Sequence, residues 1–292
     1  MKTQRPGRIT SLLIVLIAYV VAIATGIYIG ILLDFENTLI SAAVGDIAAT
    51  IVIFAFSFFL KNSSLYDPYW SIIPILIATY WMINSPEGNM VRHSMIIFLI
   101  VFWGLRLTIN WIRGWKGLHH QDWRYTDLAR KNGKVYWLIS FSGIHMFPTM
   151  LVFAGMSPVW VAMKSASGIG LMDYIAFLIT FSAIVIEWIS DEQLIAFKHK
   201  NLDKQAFIKT GLWAYSRHPN YFGEVAFWVG LFLFAFGISN TNYWTGNGAV
   251  AMIILFVFIS IPMMDDRHKA SRPEYEAHVK KVSALVPWFR ES

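Results

Sequence analysis

The sequence predicts an all-α, polytopic membrane bundle, and three observations carry that expectation. Of its 292 residues, 56% are hydrophobic and only 14% are charged, a balance that belongs to an integral membrane protein. The apolar residues gather into runs such as 9–33, 39–60 and 221–238, each close to the length that a helix needs to cross a bilayer. The charges alternate with those runs: if the chain crosses eight times, 22 of the 24 Lys and Arg fall on one side, leaving Arg92 and Lys164 on the other. The positive-inside rule then places both termini in the cytoplasm. The formal charge of +6 is accordingly read as topology and not as a nucleic-acid surface. Cysteine is absent, which excludes disulfides, thiolate nucleophiles and Cys-based metal sites.

The first run, 9–33, exceeds a signal-peptide core and is followed by no small-residue cleavage pattern, so it is read as a retained span. The second, 39–60, holds Asp46, and the third, 69–83, is the shortest and contains Pro74; its loss would leave seven spans. The fourth covers about 94–111. A fifth at 135–155 is expected to break at Pro148 and to be followed by a short exterior loop to about 168. The sixth, 169–190, has Asp173 near its start and Glu187 near its end. Pro219, which fixes its own φ and has no N–H to leave unpaired, opens the seventh at 221–238. The eighth runs over 249–264, before a basic tail that ends in an amphipathic VPWF. Between spans four and five, RGWKGLHHQDWRYTDLARKNGK alternates in charge sign and distributes Trp115, Trp123 and Tyr125, a pattern of ordered interfacial structure.

Polar chemistry collects at the cytoplasmic face of this arrangement. Arg106, Asn110 and Arg113 stand at i, i+4 and i+7 on one helical face, and Glu187 and Asp191 do the same at the end of span six. The stretch GLWAYSRHPNYFGE sets Arg217, His218, Asn220, Tyr221 and Glu224 at the mouth of span seven. Glu224 lies one turn inside an apolar run and therefore needs a partner or a site. Asp265, Asp266, Arg267, His268, Arg272 and Tyr275 follow span eight. Arg forks for phosphate, amides and carboxylates for ribose or carboxamide, and aromatic rings for stacking suit an anionic, ring-bearing cofactor. Structural ion pairs that lock loops to the bundle are the alternative. His119 and His120 are adjacent and lack HExxH spacing, and Asp265 and Asp266 have no phosphate motif beside them, so no metal site is expected. His145 and Pro148 read as a kinked structural feature, with a part in the substrate cavity as the alternative, and no GxGxxG unit is present.

RHPNYFGE after GLWAYS, together with HHQDWRYTDLARKNGKVYW and SRPEYEAHVKKVSALVPWF, resembles the steroid 5-alpha-reductase-like membrane family, in particular its bacterial branch. The likeness covers about 105–289 and extends to sterol reductases and isoprenylcysteine carboxyl methyltransferases. It implies NADPH bound from the cytosolic side and hydride delivery to the beta carbon of a conjugated enone in a steroid-like or other lipid substrate. The family's cofactor pattern falls on Asn110, Arg113, Asp122, Trp123, Arg124, Tyr125, Asp191, Arg217, His218, Asn220, Tyr221, Glu224, Arg267, Arg272 and Tyr275. Its relatives polarise the enone with a Glu and a Tyr from the N-terminal half. No Glu stands in spans two or three here, where Asp46, Tyr66 and Tyr80 are available; Asp46 with Tyr80 is the candidate catalytic pair, and a helix-start residue facing the exterior interface is the alternative for Asp46. The resemblance thus divides the chain into a substrate-side bundle, 1–112, and a reductase-like part, 113–292, in a bacterial inner membrane with the cofactor site facing the cytoplasm. An S-adenosylmethionine-dependent lipid methyltransferase and a non-enzymatic scaffold or transport protein are the alternative readings.

Overall fold

The structure is a computed structural model that describes residues 6–200, 203 and 205–289. Among the basic residues counted above, Lys2, Arg5, Lys204 and Arg290 lie outside the described residues. The described chain is an all-α membrane bundle. Helix α1 (Arg8–Leu32) is followed by α2 (Thr38–Leu60), which Asn37 caps by accepting from the Leu39 N–H. Lys61, in the left-handed region at φ 52°, ends α2. Then come α3 (Tyr69–Ile83), α4 (Met90–Gly114), capped by Asn89, and the short α5 (Trp123–Asn132), capped by Asp122. Helix α6 runs over 136–164, α7 is Leu171–Lys200, α8 is Pro219–Ile238, α9 runs over 247–271 and α10 is Tyr275–Lys281.

Among the described residues, seven stretches are long and apolar enough to cross a membrane: α1, α2, α4, the stretch containing α5 and α6, α7, α8, and the stretch containing α9. At 15 residues, α3 is too short to join them, yet it connects the two ends of the bundle. Its start follows Asn62, whose amide holds the carbonyls of Leu118 and His120. Near its end the Trp81 indole N–H donates to the Thr38 carbonyl, at the opposite end of α2. A helix this short serves because it is enclosed: Tyr69, Ile73, Ile77, Ala78 and Trp81 are buried. Outward faces elsewhere remain apolar, as at Leu13, Leu16, Ile17 and Val20 of α1, where lipid is the solvent.

Small residues set the closest helix contacts. A methyl on Gly26 of α1 would come within 2.6 Å of the Gly45 carbonyl of α2, and one on Gly223 of α8 within 2.8 Å of the Ala183 carbonyl of α7. The second contact holds Glu187 and Glu224 side by side.

Two expectations need correction. Pro148 does not break the fifth span. The seven residues before Phe147, Ser140–Met146, are wound as a π-helix, which widens the backbone ahead of the proline and lets α6 continue to Lys164. The same device recurs in α9, where π-helical Leu255–Ser260 precedes Pro262 and the helix runs on to Ser271. Span six also outlasts its apolar run, because α7 continues to Lys200. Asp191 and Asp265–His268 consequently sit on helices that project beyond the apolar layer, and not in loops.

Candidate functional site

The bundle's polar residues surround two adjoining cavities at the end that carries α5 and α10. The larger, of about 620 Å³, is walled by Tyr66, Asp67 and Trp70, by Arg106 and Asn110 of α4, by Asp122, Arg124 and Tyr125, by Glu187 and Asp191 of α7, and by Asn220, Tyr221 and Glu224 of α8. The smaller, of about 390 Å³, is walled by Lys198, Phe207, Trp213, Arg217, His218, His268, Arg272, Tyr275 and His278. Asn220 and Tyr221 belong to both walls. Both π-helical stretches reach the larger cavity, through Gly143 and Ile144 of α6 and Leu255, Phe256, Ile259 and Ser260 of α9. Phe147 of α6 and Ile259 of α9 line its apolar side, and both are exposed.

Arg106 anchors the polar side. It pairs with Glu187 and, at 2.5 Å, with Asp191, whose Oδ2 also accepts from the Asn110 amide at 2.7 Å. Glu224 accepts from two indoles, Trp103 at 3.1 Å and Trp228 at 2.9 Å, and lies within hydrogen-bonding reach of Glu187. Two carboxyl groups thus share one guanidinium, and the third stands beside them. Several buried polar atoms here have no partner among the described residues: Arg106 Nε, Glu187 Oε1, Trp111 Nε1 and Asn220 Oδ1. Buried polar groups are otherwise paired as a rule, so these mark where a further molecule would complete the wall. Outside the spans, Asp67 accepts from the Tyr125 hydroxyl at 2.7 Å, and removal from water raises its carboxyl to about 6 despite that bond and the nearby Arg124.

The smaller cavity is organised by Asp265. It accepts from Arg217 Nη2 at 2.7 Å, from His218 Nε2 at 3.0 Å and from the Tyr275 hydroxyl at 2.7 Å. Burial and that bond push the Tyr275 phenol up. Arg217 Nη1 binds the carbonyls of Val279 and Val282, and the Arg217 backbone N–H binds that of Ser283. The RHPNY arginine therefore fastens the C-terminal segment through both terminal nitrogens and its backbone, while its Nε, like that of Arg106, has no partner among the described residues. Lys198 and Arg272, by contrast, line the cavity with donors to spare, Arg272 spending its Nε on Ala206.

The DUF1295 family model, described as a protein of unknown function, matches residues 53–282, which takes in both cavities. The chain belongs to this family. It is also similar to the uncharacterized protein C594.04c of Schizosaccharomyces pombe, at 26% identity over 263 residues that cover 81% of this chain and 76% of that protein. No solved structure matches.

Within this DUF1295 chain the predicted site residues divide. Asn110, Asp122, Arg124, Tyr125, Asp191, Asn220, Tyr221 and Glu224 line the larger cavity, while Arg217, His218, Arg272 and Tyr275 line the smaller. Three stand outside both: Arg113 forms an exposed pair with Glu192, and Arg267 stacks on Trp123 with its guanidinium carbon 3.7 Å from the ring centre. Asp46 and Tyr80 are not brought together. Asp46 bonds to Tyr69 at 2.9 Å, Tyr80 lies near the far end of α3, and neither lines either of these two cavities. Tyr66 was named as available but not chosen, and Asp67, Trp70 and Lys198 were not predicted. The signal that existed was the sequence KNSSLYDPYW, polar and aromatic residues at the mouth of a short span.

Proposed function

We propose that the chain is an NADPH-dependent reductase of a carbon–carbon double bond conjugated to a carbonyl in a lipid-like substrate. One observation carries the reading: a basic, aromatic cavity and a partly apolar one meet at Asn220 and Tyr221. The donor set fits such a cofactor. Lys198 and Arg272 would face phosphates, Phe207, Trp213 and Tyr275 would flank adenine, and the unpartnered Asn220 Oδ1 would accept from the carboxamide. NADPH, when bound, supplies a hydride. The chain's own work is to orient it, to exclude water and to hold a donor at the carbonyl oxygen, where charge develops. Residues 1–112 would contribute mainly to the substrate side and 113–292 mainly to the cofactor side. Exposed Phe147 and Ile259 on the apolar side of the larger cavity support a substrate that arrives from lipid. The one-sided distribution of Lys and Arg supports a cytoplasmic orientation of both cavities and both termini.

A second reading, an S-adenosylmethionine-dependent methyltransferase, is favoured by the three carboxyl groups around Arg106, which suit a cationic sulfonium as well as an oxidised nicotinamide. Thermal unfolding of the detergent-purified protein with each cofactor separates the two. NADPH at a hundred times its Kd should stabilise by about 2.7 kcal/mol. Stabilisation by S-adenosylmethionine alone would transfer the assignment, and stabilisation by neither would leave the cavities to a scaffold or transport role.

A further inference from the structure

The chain leaves the apolar layer at the end of α9 and is then brought back to it. Two residues before Pro219 opens α8, the Arg217 backbone N–H donates to the Ser283 carbonyl at 2.9 Å, and Arg217 Nη1 holds the carbonyls of Val279 and Val282. Ser216 Oγ donates to the Leu285 carbonyl at 2.8 Å, and the Trp288 N–H donates to the Tyr215 carbonyl at 3.0 Å. Residues 283–288 therefore run antiparallel to 215–217 and lie at the mouth of a membrane span.

What this fastened segment shows to its surroundings is apolar. Val286 is 55% exposed, Trp288 69% and Phe289 81%, and Tyr215, to which Trp288 is bonded, is 47% exposed. A segment held by its backbone at three points, with its largest side chains turned outward, calls for an apolar phase outside the bundle. Charge decides which phase. Helix α10 ends in Lys280 and Lys281, both exposed, and no Asp or Glu occurs from Ala277 to Phe289. Trp and Tyr favour the headgroup level of a bilayer, and lysines beside them are drawn to anionic lipid. A two-fold contact between copies of the chain would instead set this basic patch against itself.

We propose that Tyr215, Val286, Trp288 and Phe289 form a docking surface for the headgroup region of an anionic bilayer, and that this contact steadies one wall of the smaller cavity. The link is Arg217. Its guanidinium joins the tail carbonyls to Asp265, and Asp265 in turn holds His218 and Tyr275, which line that cavity together with Arg217. Lipid that pins 283–289 limits the excursions of Val282 and Ser283 away from Arg217, so the network opens less often. This holds whichever cofactor the cavities accept. Salt screens the attraction of Lys280 and Lys281, so the steadying should fade as ionic strength rises while the aromatic contact remains.

The absence of cysteine allows single labels on the full chain. Val286→Cys carrying bimane is placed in nanodiscs of phosphatidylcholine alone, or of phosphatidylcholine mixed equally with phosphatidylglycerol. In the mixed discs, lipid with a nitroxide near its headgroup should lower the emission about twofold, and acrylamide should quench less than in the neutral discs. Phe289→Cys repeats the measurement, so the result does not hang on one variant. Trp288→Ser combined with Phe289→Ser should abolish the quenching by lipid at position 286. Backbone hydrogen exchange at Arg217 and Trp288 in the wild type should be about tenfold slower in the mixed discs, and Lys280→Gln with Lys281→Gln should erase that difference. A label that lipid nitroxide leaves bright in both kinds of disc overturns the proposal, and so does exchange at Arg217 that ignores lipid charge. A label shielded from lipid and acrylamide alike, in discs that hold more than one copy, overturns it in favour of a second copy of the chain.

Discussion

Two buried arginines at opposite ends of the bundle have nearly the same exposure and opposite surroundings. Arg92 holds Asp173 through Nε at 2.7 Å and Nη2 at 3.0 Å, and its remaining donors reach the carbonyls of Ser165, Ser167 and Gly168. Asp173 also accepts from the Gly170 N–H, so pair and loop form a closed set. Arg106 faces Glu187 and Asp191, with Glu224 beside them, yet its Nε and Glu187 Oε1 have no partner among the described residues. Burial therefore does not separate the structural ion pair from the candidate site. Completeness does. A saturated pair has nothing left to recognise, whereas an unsaturated one that borders a cavity can be completed by a ligand.

The largest expected effect is at the saturated end. Arg92→Ala strands the Asp173 carboxylate and three carbonyls, and should cost about 3–5 kcal/mol, read as a lower denaturation midpoint in mild detergent. Arg217→Ala comes next. Asp265 keeps His218 and Tyr275, so the loss should be about 2–3 kcal/mol, accompanied by faster proteolysis of the segment after Arg272. NADPH affinity measured in the variant that remains folded should change little.

Arg106→Gln should destabilise less, by about 1–2 kcal/mol, because carboxyl groups beside a cavity can take up protons and water. It should nevertheless remove the stabilisation conferred by NADPH. A ranking in which Arg106→Gln costs more stability than Arg92→Ala would erase the distinction drawn between them.

The smallest effect sharpens the same contrast at Asp67. Its folded-state carboxyl is raised to about 6, above its ordinary value, so its contribution to stability is present in acid and is lost as pH rises through 6. Asp67→Asn should flatten the stability profile between about pH 4 and 6. A wild-type profile that rises across that window, relative to Asp67→Asn, would contradict the desolvated placement of Asp67.

Much of the fold was legible because membrane spans are written in one dimension. The limits of α2, α3 and α8 follow from apolar runs bounded by Asn37, Lys61, Pro68 and Pro219, and the charged ends follow from where Lys and Arg are allowed. Pro148 was legible as an irregularity but not as a π-helical stretch, since whether a proline breaks a helix depends on the neighbours that hold it together. The candidate site was legible as a list of polar residues at one end, and its grouping was not.

By itself the sequence determined that this chain is an all-α membrane bundle with its ionisable residues concentrated toward one end, because hydrophobicity and charge act residue by residue. Only the tertiary structure decided that Arg217 turns inward to Asp265 and the tail while Arg106 is left incomplete beside a cavity. It alone paired Asp46 with Tyr69 in place of Tyr80, and placed Tyr66 in the cavity wall. The physical reason is that a partner across the bundle depends on the rotation and closeness of two helices. Those are set by contacts such as Gly223 against Ala183, which no stretch of sequence contains on its own.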